Sequence, residues 1–335
     1  MPTSVPTSDE FDALTARVDG HDNEVATLRA AHAGLVDLLN EERAERTAAV
    51  DALTARLNRL NRRVTALENG TEIPPVFETM TVGSSLHREP GESALDAYDR
   101  RCRNWGVCPE VVRFFFTSFP TVWPVFGDSD VVVSFKGSPW AIAAGEYDDT
   151  LTRFFQSAPS DGRPKRWAYW HEREDDIENG AFTEADYRAA YLHLVELANA
   201  VGNPDLSAGV VLMGWTANPA GNRDTPAYLW DSSVIEWAGW DVYPGPDRAD
   251  TRYKYQLCVD ATKAAGIDTW LLTETGLDKP DTRAPETVAA WIPDACDIAR
   301  ELGFEQWHYF DSTVGGDFRL TTPVEWAAIA GEIAK

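Results

Sequence analysis

The chain of 335 residues is 44% apolar and 25% charged, a globular composition that excludes a disordered chain, a collagen and a small disulfide scaffold. No run approaches the ~18 consecutive apolar residues of a membrane helix, and a net charge of −24 argues against nucleic acid and against an anionic membrane surface as partners. All 13 tryptophans lie at Trp105 or later, so two unlike parts are expected.

Met1 to Glu10 has neither a basic start nor an apolar core, so no Sec signal peptide is expected. Residues 9–69 contain no proline, no lysine and only two glycines, Gly20 and Gly34. Phe11, Leu14, Val18, Val25, Leu28, Leu35 and Leu39 fit one a/d register, in which His21 and His32 occupy core slots. Val50, Leu53, Leu57, Leu60, Val64 and Leu67 fit a second. The eleven residues from Leu39 to Val50 make a four-residue stutter between the two blocks. This pattern predicts a coiled-coil stalk over residues 1–70 that self-associates through 9–69 as a homotrimer or dimer, the trimer being preferred. A helix of ~90 Å with so narrow an apolar stripe needs a partner helix to cover it. Asn69-Gly70 ends the helix with C-cap chemistry, and residues 71–77, with Pro74-Pro75, form a stiff linker.

From residue 78 the periodicity changes. Strands are predicted at 80–84, 111–116, 130–135, 167–171, 210–215, 238–243, 270–273 and 305–310. Helices are predicted at 92–105, 146–156, 183–201, 251–265, 285–302 and 323–334. Eight strands in about 260 residues, mostly alternating with helices, predict an α/β fold of the (β/α)8 TIM-barrel type over 78–335. No glycine-rich phosphate loop supports a doubly wound sheet instead.

Catalytic groups of such barrels sit where strands end. Glu172 follows an apolar strand ending Trp170-His171, and Glu274 follows Trp-Leu-Leu-Thr273. Alone, either glutamate reads as a loop carboxylate or a salt-bridge partner. Together, at the ends of the fourth and seventh strands, they face each other across a small barrel, and two carboxylates there can divide the roles of acid and nucleophile. With this pair the sequence resembles the clan-A glycoside hydrolases, the "4/7" barrels. His171-Glu172 is similar to the His-Glu of the family 26 β-mannanases. Trp240-Asp-Val-Tyr243-Pro resembles their sixth-strand motif, and Thr273-Glu-Thr-Gly276 resembles their nucleophile motif.

The resemblance implies a retaining glycosidase with Glu172 as acid/base, Glu274 as nucleophile, Tyr243 bonded to that nucleophile and Trp307 as a sugar platform. No cofactor and no metal are expected. Arg113 is a candidate to hold Glu274 ionised. His171, His87 and Trp170 are candidates for substrate contact, with His308 weaker. Trp123, Trp140 and Trp215 join Trp170 and Trp307 as candidate walls of a carbohydrate cleft. The Glu172 loop continues Arg-Glu-Asp-Asp-Ile-Glu, unlike the Met-Asn-Gly of mannanases, which leaves Glu174 and Asp176 as alternative acids.

The four cysteines form no C-x-x-C pair and read as free thiols, with a Cys102–Cys108 or Cys258–Cys296 bridge left open. A barrel on an oligomerising stalk without a signal peptide is expected to be a phage tail-associated or cell-surface glycan-processing protein, in a virion tail or extracellular, and otherwise cytoplasmic. Its partners are then a polysaccharide and other virion tail proteins. The alternative is a non-catalytic glycan-binding or structural tail protein on the same fold. An aldolase-like barrel is disfavoured, because Lys136 is a poor Schiff-base candidate.

Overall fold

A computed structural model describes residues 80–116, 119–245, 248–279 and 284–335, with Thr7, Ser8, His32 and Gly34 upstream. The chain divides into two units, Met1–Thr65 and Ala66–Lys335. The expected coiled coil and linker lie outside the described residues, apart from His32 and Gly34, which are helical and exposed.

The C-terminal unit holds eight parallel strands in chain order around a closed barrel: β1 Thr81–Ser85, β2 Val111–Phe115, β3 Asp130–Phe135, β4 Lys165–Tyr169, β5 Leu206–Met213, β6 Trp237–Asp241, β7 Trp270–Thr275 and β8 Gln306–Tyr309. The helices are α1 Ala94–Trp105, α2 Pro139–Ala143, α3 Asp148–Gln156, α4 Glu174–Glu178, α5 Glu184–Ala200, α6 Gly214–Ala217, α7 Thr225–Tyr228, α8 Thr251–Ala264, α9 Pro285–Glu301 and α10 Pro323–Ile333. The protein is a (β/α)8 TIM barrel. Among the described residues no helix is long and apolar enough to cross a membrane.

Two side-chain sets follow from the period-2 alternation of the strands. Val111, Val132, Ala168, Val211, Trp237 and Leu271, one from each of β2 to β7, form a separate apolar cluster that fills the barrel. The intervening residues, among them Val82, Val112, Tyr169, Trp240 and Trp307, join the larger core against the helices. Capping chemistry starts the helices where the sequence predicts. Thr183 and Asp186 form a reciprocal capping box at α5, and Thr322 and Glu325 form one at α10.

Between β2 and β3, where the sequence predicts no helix, none intervenes among the described residues. That segment lays Trp123 and Phe126 into the core. The free-thiol reading fails for one pair. Cys102 and Cys108 are disulfide-bonded, while Cys258 and Cys296 are free and buried. Gly106 caps α1 in the left-handed region at φ 74°, which turns the chain back so that Cys108 returns beside the helix end. The fully buried Arg101–Asp311 ion pair fastens the same helix to the residues after β8.

Candidate active site

The acid candidate stands on irregular backbone. β4 ends at Tyr169, and both Trp170 and Glu172 adopt left-handed conformations, at φ 49° and 51°. For residues with a Cβ this conformation costs of order 1–3 kcal/mol each and persists only where the surroundings enforce it. Here the neighbouring strands do so. The Trp170 N–H donates to the Phe135 carbonyl of β3 at 2.9 Å, and the Glu172 N–H donates to the Val211 carbonyl of β5 at 3.0 Å. Strict alternation would send His171 outward. The kink instead sets its ring edge-on to Phe115 of β2, with centroids 5.2 Å apart.

The nucleophile candidate depends on a second irregularity. The pairing of β7 slips by a residue against β6, so that Asp241 partners Glu274, and it slips again against β8. Such a bulge re-aims a side chain. Both Thr273 and Glu274 therefore turn to the barrel axis, where a regular strand would present only one of them. Thr273 donates to Asp241 Oδ1 at 2.6 Å, and the Tyr243 hydroxyl donates to Glu274 Oε2 at 2.7 Å. Gly239 makes room beneath, since a Cβ there would lie 2.6 Å from the Thr273 methyl.

Glu172, Asp241 and Glu274 each contribute a carboxylate oxygen to a group whose members all lie within 4.8 Å of one another. Those oxygens are numerous enough for a cation. The guanidinium of Arg113, 1% exposed, already supplies positive charge that acts on the same three carboxylates. Arg113 donates to the Val132 carbonyl at 3.4 Å and lies over the Phe115 ring.

Electrostatics separates the carboxylates. Burial, then the charges of Glu274 and Glu174, pushes the Glu172 carboxyl up to about 8, against Lys136 and Arg113. Burial also raises Glu274, but Arg113, the Tyr243 hydrogen bond and Lys136 all oppose the rise. Asp241 is raised well above the usual carboxylate range by burial and by its two acidic neighbours. Burial holds His171 well below its ordinary value, hence neutral. It also raises the Tyr243 phenol, which therefore stays a donor.

The remaining candidates separate clearly. Trp170 is half-buried, donates to Asp176 Oδ2 at 2.6 Å and carries Lys136 over its ring at 5.6 Å. Trp307 is fully buried against Trp291 of α9. It points away from the axis and presents no face to a sugar, so the platform role fails on geometry. Trp123 is likewise core. Trp140 and Trp215 are 55% and 51% exposed, just past the ends of β3 and β5 on either side of the Glu172 strand. His308 is buried beside Gln306. His87 follows β1, 3.7 Å from Glu89, and has no contact with the two glutamates among the hydrogen bonds and ion pairs described.

Neither alternative acid is free for the role. Glu174 is turned inward and accepts from the Met213 N–H and the Thr216 hydroxyl, while Asp176 is engaged by Trp170 and Lys136. Sequence reasoning passed over Asp241 as a site residue. The signal was its place in Trp240-Asp-Val-Tyr243, two residues before a tyrosine already singled out.

No family model matches the chain, and no curated protein matches it. Solved structures do. A glucosidase from Croceicoccus marinus is 14% identical, with 76% of this chain and 67% of that one covered and a TM-score of 0.54. A ruminal family 26 endo-β-1,4-mannanase is 12% identical, with 77% and 63% covered and a TM-score of 0.52. A family 128 endo-β-1,3-glucanase from Amycolatopsis mediterranei, solved with laminarihexaose, is 14% identical, with 75% and 99% covered and a TM-score of 0.51. The chain thus shares the barrel fold of these glycoside hydrolases.

Proposed function

We propose that the barrel hydrolyses glycosidic bonds of a polysaccharide with retention of anomeric configuration. The observation that carries this reading is the pair Glu172 and Glu274, whose carboxylate oxygens lie within 4.8 Å across the mouth of the barrel in environments that favour a proton on the first and a charge on the second. So close an approach of their oxygens favours the ~5–5.5 Å carboxyl spacing of retaining enzymes over the ~6.5–9.5 Å that admits a water in inverting ones. Glu274 Oε attacks the anomeric carbon as the bond to the leaving oxygen breaks, and Glu172 gives that oxygen its proton. Glu172 then takes a proton from water, whose oxygen displaces Glu274 from the anomeric carbon. Tyr243 fixes the rotamer of Glu274, and Arg113 supports its charge. The fold shared with glucan- and mannan-cleaving enzymes supports a β-linked glucan or mannan as substrate.

Residues 9–69 are assigned to the same proposal as an oligomerising stalk, trimeric in its preferred form, of a phage tail-associated or cell-surface protein. Incubation with β-1,3-glucan, β-1,4-mannan and bacterial wall polysaccharides, with products read by mass, tests the activity. New oligosaccharides that disappear in Glu274→Ala are expected. Undiminished glycan binding with no product from any polymer would instead assign a binding protein. Sedimentation of the full chain tests the stalk, and a monomer at micromolar concentration would overturn it.

A further inference from the structure

We propose that Asp241 is a neutral carboxylic acid in the resting site and stays neutral through both halves of the reaction, so that the cluster turns over at constant charge. The motive is a count of charges in a fixed space. Three carboxylates, with oxygens within 4.8 Å of one another, share the charge of one buried guanidinium, Arg113. Lys136, the other cation acting on the two glutamates, is 40% exposed and already 3.6 Å from Asp176. The remaining groups that act on Asp241 are the Tyr243 phenol and the Cys258 thiol, both neutral because burial raises them, and the Thr273 hydroxyl. With all three carboxylates ionised the cluster would carry two uncompensated negative charges with Asp241 and Glu274 buried, which proteins avoid by binding protons.

Geometry selects Asp241 for one of those protons. Glu274 has the Tyr243 hydroxyl as donor at 2.7 Å, which favours its charged form. Asp241 is 3% exposed and has one side-chain donor, Thr273, at Oδ1. Its Oδ2 is buried without a hydrogen-bond partner among the described residues, so that oxygen is left to carry the proton. The second proton belongs to Glu172.

The consequence for turnover rests on the proposed retaining reaction. At rest, Glu274 is negative, Arg113 positive, and Glu172 and Asp241 neutral. In glycosylation Glu274 becomes a neutral ester while Glu172, having protonated the leaving oxygen, becomes the carboxylate. In deglycosylation Glu172 recovers a proton from water and Glu274 is released as carboxylate. With neutral Asp241 the cluster is electrically balanced at every stage. An ionised Asp241 would place a like charge beside Glu172 at the moment Glu172 must ionise. Neutral Asp241 thus adds no charge beside the acid, whose proton affinity is left to burial, Glu274, Glu174, Lys136 and Arg113.

Two measurements on the full chain test this. Infrared spectroscopy of protein labelled with carboxyl-¹³C aspartate should show the carbonyl stretch of a neutral carboxylic acid at pH 7, lost in Asp241→Asn. Carboxylate bands alone would overturn the proposal. In carboxyl-¹³C-glutamate protein, the NMR titration of Glu172 should be unmoved within half a pH unit by Asp241→Asn. Removal of a real charge within 4.8 Å would lower it by about 2.5 pH units, and that result would also overturn the proposal. Asp241→Ser serves both readouts should the asparagine variant fail to fold. Neither readout needs turnover. A neutral Asp241 in a protein that cleaves no glycan would remove the proposed function and the catalytic consequence while leaving the protonation state established.

Discussion

Replacing the nucleophile candidate by an uncharged isostere should release the proton of the acid candidate. In Glu274→Gln the carboxylate within 4.8 Å of Glu172 disappears while the burial of Glu172 is unchanged. Taking the 4.8 Å bound on their oxygens as the separation, two unit charges in surroundings of effective dielectric ~20 interact by about 3.5 kcal/mol, which corresponds to about 2.5 pH units. Arg113, whose charge also acts on Glu172, pulls in the same direction. The Glu172 carboxyl, near 8 in the intact site, should therefore titrate about 2.5 pH units lower in the variant, still above an ordinary glutamate because desolvation persists. A carboxyl-¹³C NMR titration of glutamate-labelled protein, with Glu172→Gln identifying the resonance, reads this without substrate. A change below half a pH unit would mean that the two groups do not share a site, and the division of roles would fall.

Glu172→Ala should cost ~10²–10⁴-fold on a natural polysaccharide and far less on an aryl glycoside whose leaving group needs no proton. Equal losses on both substrates would remove the acid role. Because the acid acts protonated, kcat/KM should be sustained below the Glu172 transition and fall as pH rises through about 8. A basic limb unchanged by the Glu172 substitution would count against the assignment. Trp140→Ala and Trp215→Ala should each raise KM on a long polymer ~2–10-fold, the worth of one stacking contact, with little effect on a monosaccharide glycoside, as paired assays would show. Cys102→Ser with Cys108→Ser opens a loop with a sequence separation of 6 and should lower stability by about 2 kcal/mol, read from urea unfolding.

The barrel was legible because its signals are local and repeated. Apolar runs, capping residues such as Thr183 with Asp186, and the order of the strands each report on a few neighbouring residues. Glu172 and Glu274 were legible for a related reason, since a charge placed directly after an apolar strand has few explanations. The bulge in β7 and the left-handed Trp170 and Glu172 were not legible. Both arise from the pairing of strands distant in sequence, and both decide where the side chains point. Trp307 shows the cost of reading a position without its direction: it lies on a barrel strand as the resemblance suggests, yet alternation along β8 turns it into the helix layer. Asp241 was hidden for the opposite reason. Its significance comes from Glu172 and Glu274 arriving within 4.8 Å, and no local pattern records that. The Cys102–Cys108 bridge depends on the reversal at Gly106, which cysteine spacing alone does not report.

The most direct test of the central claim is covalent trapping. Incubation of the full chain with 2-deoxy-2-fluoro glycosides of gluco and manno configuration bearing activated leaving groups, followed by peptide mass spectrometry, would capture the glycosyl-enzyme if its hydrolysis is slowed. One fluorosugar on the peptide containing Glu274, absent in Glu274→Gln, is the expected result. Turnover of glycans by the same preparation with no adduct, or with the sugar on a different carboxylate, would contradict it.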